Sequence, residues 1–180
     1  QLNQDIVYDI KQDKQGFIWL ATQDGLQRFD GHEITLFSKF RNDSIRKDIG
    51  QVLSLIIDSN SRIWIGTSSN GLLVYDREMH SIKRINLSPN DLKNGEKQAT
   101  ISKLLLKDDI VYAATGGGLF SISSKNMAVK SLFSSETTFV GNSFLENELI
   151  FSTRLNDQKY TTQFYNTTTN NIRHSSYDLI

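Results

Sequence analysis

The chain has 180 residues, with 20 basic against 20 acidic side chains, three His, one Pro and no Cys, a length that suits one ordinary domain or a piece of a larger one. A formal charge of zero removes the long-range attraction to phosphate or anionic lipid that a basic protein shows, so nucleic acid and membrane surfaces are poor partners. Without Cys there is neither a disulfide framework nor a thiolate metal site, and no apolar run approaches the roughly 20 residues that span a bilayer, so the segment is expected to be soluble with any export signal outside it.

Read in chain order, the sequence repeats itself. Asp13 is followed by Gly16, Phe17, Ile18, Trp19, Leu20, Ala21 and Thr22, then by Gly25, Leu26, Arg28, Phe29 and Asp30. Asp58 opens a second copy with Arg62, Ile63, Trp64, Ile65, Gly66 and Thr67, then Gly71, Leu72, Val74, Tyr75 and Asp76. Asp13 to Asp58, Trp19 to Trp64 and Thr22 to Thr67 are each 45 residues apart, and Gly25 to Gly71 is 46. A third copy runs through Leu104, Leu105, Leu106, Asp108, Val111, Tyr112, Ala113, Ala114, Thr115 and Gly118, with Tyr112 in the place of Trp. A fourth, through Phe144, Leu145, Leu149, Ile150, Phe151, Ser152 and Thr153, has lost the Gly, and Asp157 to Tyr160 reads as a longer loop before Thr161 to Tyr165.

Within each copy the apolar runs are short, rich in β-branched and aromatic residues, and cut by turn residues, which is the pattern of strands. The second copy predicts strands at Val52–Ile57, Arg62–Gly66, Leu72–Asp76 and Lys83–Leu87. Four strands per period of about 45 residues make a propeller blade. Runs such as Ile63, Trp64, Ile65 are apolar on successive residues, so both faces of each sheet must be covered. No dozen-residue segment carries an apolar stripe at helical spacing, and the best helix candidate, Asn90 to Gln98, is polar and contains Gly95. Neighbouring blades must therefore supply the cover. The predicted fold is all-β, a partial β-propeller of about four blades of four antiparallel strands, with blades at about 1–45, 46–92, 93–137 and 138–180.

The string from Asp13 through Gly16, Phe17, Ile18, Trp19, Leu20, Ala21, Thr22, Gly25 and Leu26 to Phe29, Asp30 and Gly31 resembles the two-component regulator propeller repeat, and so does Asp58 to Asp76. The opening Leu2 to Ile10 is similar to the first blade of the sensor region in hybrid two-component histidine kinases. The resemblance is specific over residues 1 to 87 and architectural over 101 to 177. It implies an exported sensor with two seven-bladed propellers and a small β-sandwich domain before a transmembrane helix, signalling to a cytoplasmic kinase. This chain would then be about half of the first ring, in the periplasmic ectodomain of an inner-membrane protein. Its implied partners are an oligosaccharide, the remaining blades and downstream domains, and a second copy of the full-length sensor. Neither catalysis nor a cofactor is implied for this segment.

Individual residues are weighed against their role in the repeat. Trp19 and Trp64 could stack on a sugar, but a residue repeated at one strand position is expected to pack between blades. Thr22, Thr67 and Thr115 are placed to satisfy a turn amide, Gly25, Gly71 and Gly118 to supply a positive φ, and Asp13 and Asp58 to cap turns. Gly116 to Gly118 fails the dinucleotide pattern at Ser121. The Asp58 loop places Ile63 where a calcium loop needs Gly. His32, His80 and His174 have no partner at ligand spacing, so no metal is expected. Residues that break the repeat are better candidates for recognition. These lie in the polar insertions Arg41 to Asp48 and Asn86 to Thr100, where Arg41, Arg46, Lys47, Asn90, Lys93 and Asn94 could bond sugar hydroxyls or carboxylates. The leading expectation is a non-enzymatic ligand sensor; the alternatives are a propeller lyase or hydrolase acting at the channel mouth, and a protein-interaction scaffold.

Overall fold

The computed structural model describes residues 6–37, 49–87, 99–116, 118–134, 138–145, 148–154 and 159–178, with side chains described outside 133–147, 151–160 and 174–180. Among the described residues sixteen strands form four antiparallel meanders. Blade 1 holds β1 (Val7–Gln12), β2 (Ile18–Thr22), β3 (Gly25–Phe29) and β4 (Ile34–Leu36). Blade 2 holds β5 (Val52–Ile57), β6 (Ile63–Thr67), β7 (Leu72–Asp76) and β8 (Ser81–Ile85). Blade 3 comprises β9 (Ile101–Lys107), β10 (Ile110–Thr115), β11 (Gly118–Ser123) and β12 (Val129–Ser134), and blade 4 comprises β13 (Thr138–Leu145), β14 (Glu148–Arg154), β15 (Lys159–Asn166) and β16 (Ile172–Asp178).

The first strands β1, β5, β9 and β13 pack one on the next in chain order, and each second strand leans on the first strand of the following blade. The pleat then sends alternate residues to opposite neighbours. Ile63 and Ile65 of β6 join the core shared with blade 1, together with Trp19, Phe37, Leu55 and Tyr75, whereas Trp64 between them joins the core shared with Val111, Leu104 and Ile122 of blade 3. A third cluster places Tyr112 and Leu119 of blade 3 against Leu149 and Tyr165 of blade 4. Continuous apolarity along these strands is thus the mark of two blade faces.

The two Trp side chains are 1% and 0% exposed and occupy equivalent interfaces one blade apart. Trp19 meets Phe37 edge-on at 5.8 Å between ring centroids, within the range for a favourable aromatic pair. Each indole Nε1 also donates at 2.8 Å to the Asp six residues upstream, Trp19 to Asp13 and Trp64 to Asp58. The other carboxylate oxygen of each Asp accepts two turn N–H groups, from Gln15 and Phe17 in blade 1 and from Asn60 and Arg62 in blade 2. The capping role expected for Asp13 and Asp58 is present, and the bond to Trp is an addition that the spacing alone did not reveal.

Thr22, Thr67 and Thr115 act mainly in the opposite sense to the expectation. Their hydroxyls donate to the carbonyls of Gly25, Gly71 and Gly118 at 2.8, 2.8 and 3.0 Å, and Thr67 also accepts a turn amide, from Asn70. The three glycines have φ of 121°, 71° and 152°, as the turns require. Gly66 is small for another reason: a Cβ there would lie 2.9 Å from Ile101 Cγ2 of blade 3. Blade 1 has Ala21 at this position, and blade 2 has Val52 where blade 3 has Ile101.

Several boundaries differ from the sequence reading: the second strand of blade 2 is Ile63–Thr67 in place of Arg62–Gly66, and its outer strand ends at Ile85 in place of Leu87. The outer strand of blade 2 begins at Ser81 and not at Lys83, because Asp76 Oδ1 accepts the Met79 N–H and His80 adopts φ 48°, closing the turn within Arg77 to His80. Lys159 and Tyr160, expected in a loop, belong to β15, where their backbones pair with Asp178 and Tyr177. The helix candidate Asn90 to Gln98 lies outside the described residues.

Candidate functional site

The polar insertions leave and re-enter on one rim of the fold. Ser68 in the turn after β6 donates its N–H to the Gln51 carbonyl at 3.0 Å, and Asn70 donates to the Ile49 carbonyl at 3.1 Å. Thr100 donates to the Ser68 carbonyl at 2.6 Å. The segments containing Arg41, Arg46, Lys47, Asn90, Lys93 and Asn94 therefore meet the framework beside the turns between second and third strands, while these six residues lie outside the described residues.

The opposite rim is tied from blade to blade. Lys14 donates to the Ser59 carbonyl at 3.0 Å, and Ser59 Oγ donates to Asp109 Oδ1 at 2.8 Å. Arg77 of blade 2 pairs with Asp13 of blade 1, and Arg62 pairs with Asp58 while donating to the Ser124 carbonyl of blade 3. Bonds to buried carboxylates of this kind are stronger than neutral ones, and here they fix the blades against one another.

A polar row that sequence reasoning missed runs across the innermost strands. In every blade the pairing of the first strand with the second is interrupted by a register shift near its start, between Val7 and Asp9, Val52 and Ser54, Ile101 and Lys103, and Phe139 and Gly141. Such bulges re-aim the side chain that follows. Asp9, Ser54 and Lys103 consequently occupy one repeat position, facing Ala21, Gly66 and Ala114 in the neighbouring strands.

These residues reach from blade to blade. Asp9 Oδ2 accepts the Leu55 N–H at 3.0 Å and the Ser54 hydroxyl at 3.1 Å, and Ser54 Oγ in turn accepts the Leu104 N–H at 3.0 Å. Each side chain thus satisfies a backbone donor of the next inner strand, which has no ladder partner on that side. Lys11 Nζ donates to Asp9 Oδ1 at 2.7 Å, and Lys103 Nζ stands 3.8 Å from Asp9 Oδ2. Burial pushes the Asp9 carboxyl up, but the Leu55 N–H, the Lys11 ammonium and the more distant Lys103 outweigh it and hold the group below the usual carboxylate range. Asp9 is therefore an anion at neutral pH.

Beside this row β1, β5 and β9 enclose a cleft of about 390 Å³, lined by Lys11, Gln12, Ile57, Lys103 and Leu105 among others. Its floor is aliphatic and two ammonium groups stand at its side. The visible signal in the sequence was the polar residue that interrupts an otherwise apolar inner strand at a fixed repeat position; it was hidden because Asp, Ser and Lys share no chemistry.

This architecture is that of a β-propeller. Its first two blades carry the two-component regulator propeller repeat, whose family model matches residues 1–24 and 48–69. Over 43 residues the chain is 46% identical to histidine kinase P4 of Formosa agariphila, covering 24% of this chain and 3% of the kinase. Among solved structures it resembles the extracellular domain of a putative hybrid two component system from B. thetaiotaomicron, with a TM-score of 0.72 at 22% identity over 99% of this chain and 23% of that one. PorZ, a surface component of the type-IX secretion system of Porphyromonas gingivalis, is similar with a TM-score of 0.66 at 10% identity over 96% of this chain and 27% of that one. The chain thus spans about a quarter of these two structures and a small part of the kinase.

Proposed function

We propose that this chain is a non-catalytic segment of the extracytoplasmic sensor region of a hybrid two-component histidine kinase, in which binding of an oligosaccharide biases domain packing and thereby a cytoplasmic kinase. The observation that carries the reading is the presence of two regulator-propeller repeats in a chain that also shares a 43-residue stretch of identity with a histidine kinase. The similarity to an extracellular sensor domain supports placement outside the cytoplasm, in the periplasm.

The four blades are part of a larger, seven-bladed ring in this reading. Ile10 is 55% exposed, while Leu55 at the same position of blade 2 is 0% exposed because blade 1 covers it. An equivalent face is left bare in blade 1, and a further blade stacked there would remove it from water at about 25 cal/mol per Å² of apolar surface.

A propeller hydrolase or lyase also calls for polar residues converging from several inner strands, and Asp9, Ser54 and Lys103 do converge. Their bonding favours the non-catalytic reading. Both oxygens of Asp9 are engaged, and its lowered pKa suits a fixed anion and not a proton donor.

Thermal unfolding of the complete ectodomain against a panel of neutral and acidic oligosaccharides tests the reading. A ligand that binds only the folded state raises its stability, by about 2.7 kcal/mol at a hundred times Kd. A clear rise with one glycan class, accompanied by a change in autophosphorylation of the full-length kinase in vesicles, is expected. A flat response across the panel contradicts it.

A further inference from the structure

In a chain of zero net charge, the inner strands place Lys11 and Lys103 at the cleft beside the single carboxylate Asp9. Two cations against one anion leave a positive excess at the cleft, where low-dielectric walls focus a field that would be dispersed on a convex surface. Asp9 faces both cations, and it does so unequally. Its Oδ1 receives Lys11, whereas Lys103 at 3.8 Å is too far from Oδ2 for a hydrogen bond and is held there by charge.

The cleft next to these ammonium groups has a mixed character. Ile57 and Leu105 offer aliphatic surface, and Gln12 contributes an amide at one end. A volume of about 390 Å³ falls in the range of small-ligand sites and suits one or two sugar rings. An aliphatic wall fits the C–H face of a pyranose, and paired ammonium groups at its edge fit an anion carried on that ring.

We infer that the concave face of β1, β5 and β9 binds an anionic sugar residue, a uronate or a sulfated hexose, with Lys103 and Lys11 as charge partners and Ile57 and Leu105 against the ring. This narrows the ligand class of the sensor reading and rests on it for the choice of a sugar. Asp9 and Ser54 act as positioning residues: they fix the inner strands and hold Lys11 toward the cleft without touching the ligand.

The test is calorimetric titration of the complete ectodomain with a hexuronate disaccharide, a sulfated disaccharide and the neutral disaccharide of the same linkage. One of the two anionic sugars should bind, with affinity falling as salt rises, and the neutral sugar should bind at least tenfold more weakly. Lys103→Gln and Lys11→Gln should each weaken the anionic sugar about tenfold or more, the loss expected for a charged hydrogen bond. Lys103→Arg should retain binding, and an unchanged Tm without ligand shows that each variant is folded. Neutral-only binding that still alters kinase output overturns the inference and leaves the sensor reading standing. Anionic binding with no effect on the kinase does the reverse. Anionic binding indifferent to both Lys variants places the site elsewhere and overturns the inference, as does no sugar binding at all.

Discussion

Blades 2 and 3 solve the same packing problem with different parts. In blade 2 the first hairpin closes through the five residues from Asp58 to Arg62, and Asp58 binds both the turn and the indole of Trp64. In blade 3 it closes through Asp108 and Asp109, both at positive φ of 48° and 61°, as a two-residue turn favoured by strand twist. Tyr112 then fills the inter-blade position of Trp64, and burial, together with the nearby Tyr165 and Asp108, pushes its phenol up to about 12. The comparison shows that Asp and Trp six residues apart form one unit. A buried indole N–H needs an acceptor, and the carboxylate that supplies it needs the long turn around it. When the indole goes, the acceptor and three turn residues go with it.

The sharpest way to break the comparison is to remove the ring. Trp64→Ala leaves a cavity between blades 2 and 3 and an acceptor without its donor, and should cost about 3–5 kcal/mol in denaturant unfolding. Trp19→Ala, in the equivalent interface, should fall in the same range. A cost under about 1 kcal/mol for either would mean that the two positions are not equivalent.

Next in size is the close approach of Ile101 to Gly66. Gly66→Ala forces a Cβ against Ile101 and should cost about 1–3 kcal/mol. Ile101→Ala removes the Cγ2 that the new methyl meets, so the double variant should cost less than the sum of the single ones. If the double variant is no better than the sum of the single ones, the blades do not meet at this point.

The smallest effect is acid titration of the inner row. Because the folded pKa of Asp9 is depressed, its contribution is fully present above the unfolded value of about 3.8 and is lost as pH falls through the lower folded value. Asp9→Asn should remove that part of the acid dependence and leave stability above pH 5 with a shallower slope toward low pH. An unchanged acid limb contradicts the assigned bonding of Asp9.

Much of the fold was legible because the repeat places equal residues in equal environments. Trp19 and Trp64, or Gly25 and Gly71, reveal their roles by recurring. Blade 4 was harder to read, since it keeps neither the Trp nor the Gly; long ladders between β13, β14, β15 and β16, seven or eight residues each, hold it instead. The inner row was illegible for a different reason. Asp9 and Ser54 are equivalent because each accepts a backbone N–H of the following strand, a property that unlike side chains share, and the bulge that aims them leaves no residue signature. Of the candidate regions the sequence pointed to the insertions, whose six residues lie outside the described residues, and it missed the cleft.

Whether the first two sheets are copies of one blade is tested most directly by paired double-mutant cycles, Asp13→Ala with Trp19→Phe and Asp58→Ala with Trp64→Phe. Each cycle should give a coupling of about 1.5–3 kcal/mol for a charged, buried hydrogen bond, with the two values agreeing within about 0.5 kcal/mol. Coupling in one copy only, or in neither, would contradict the shared architecture.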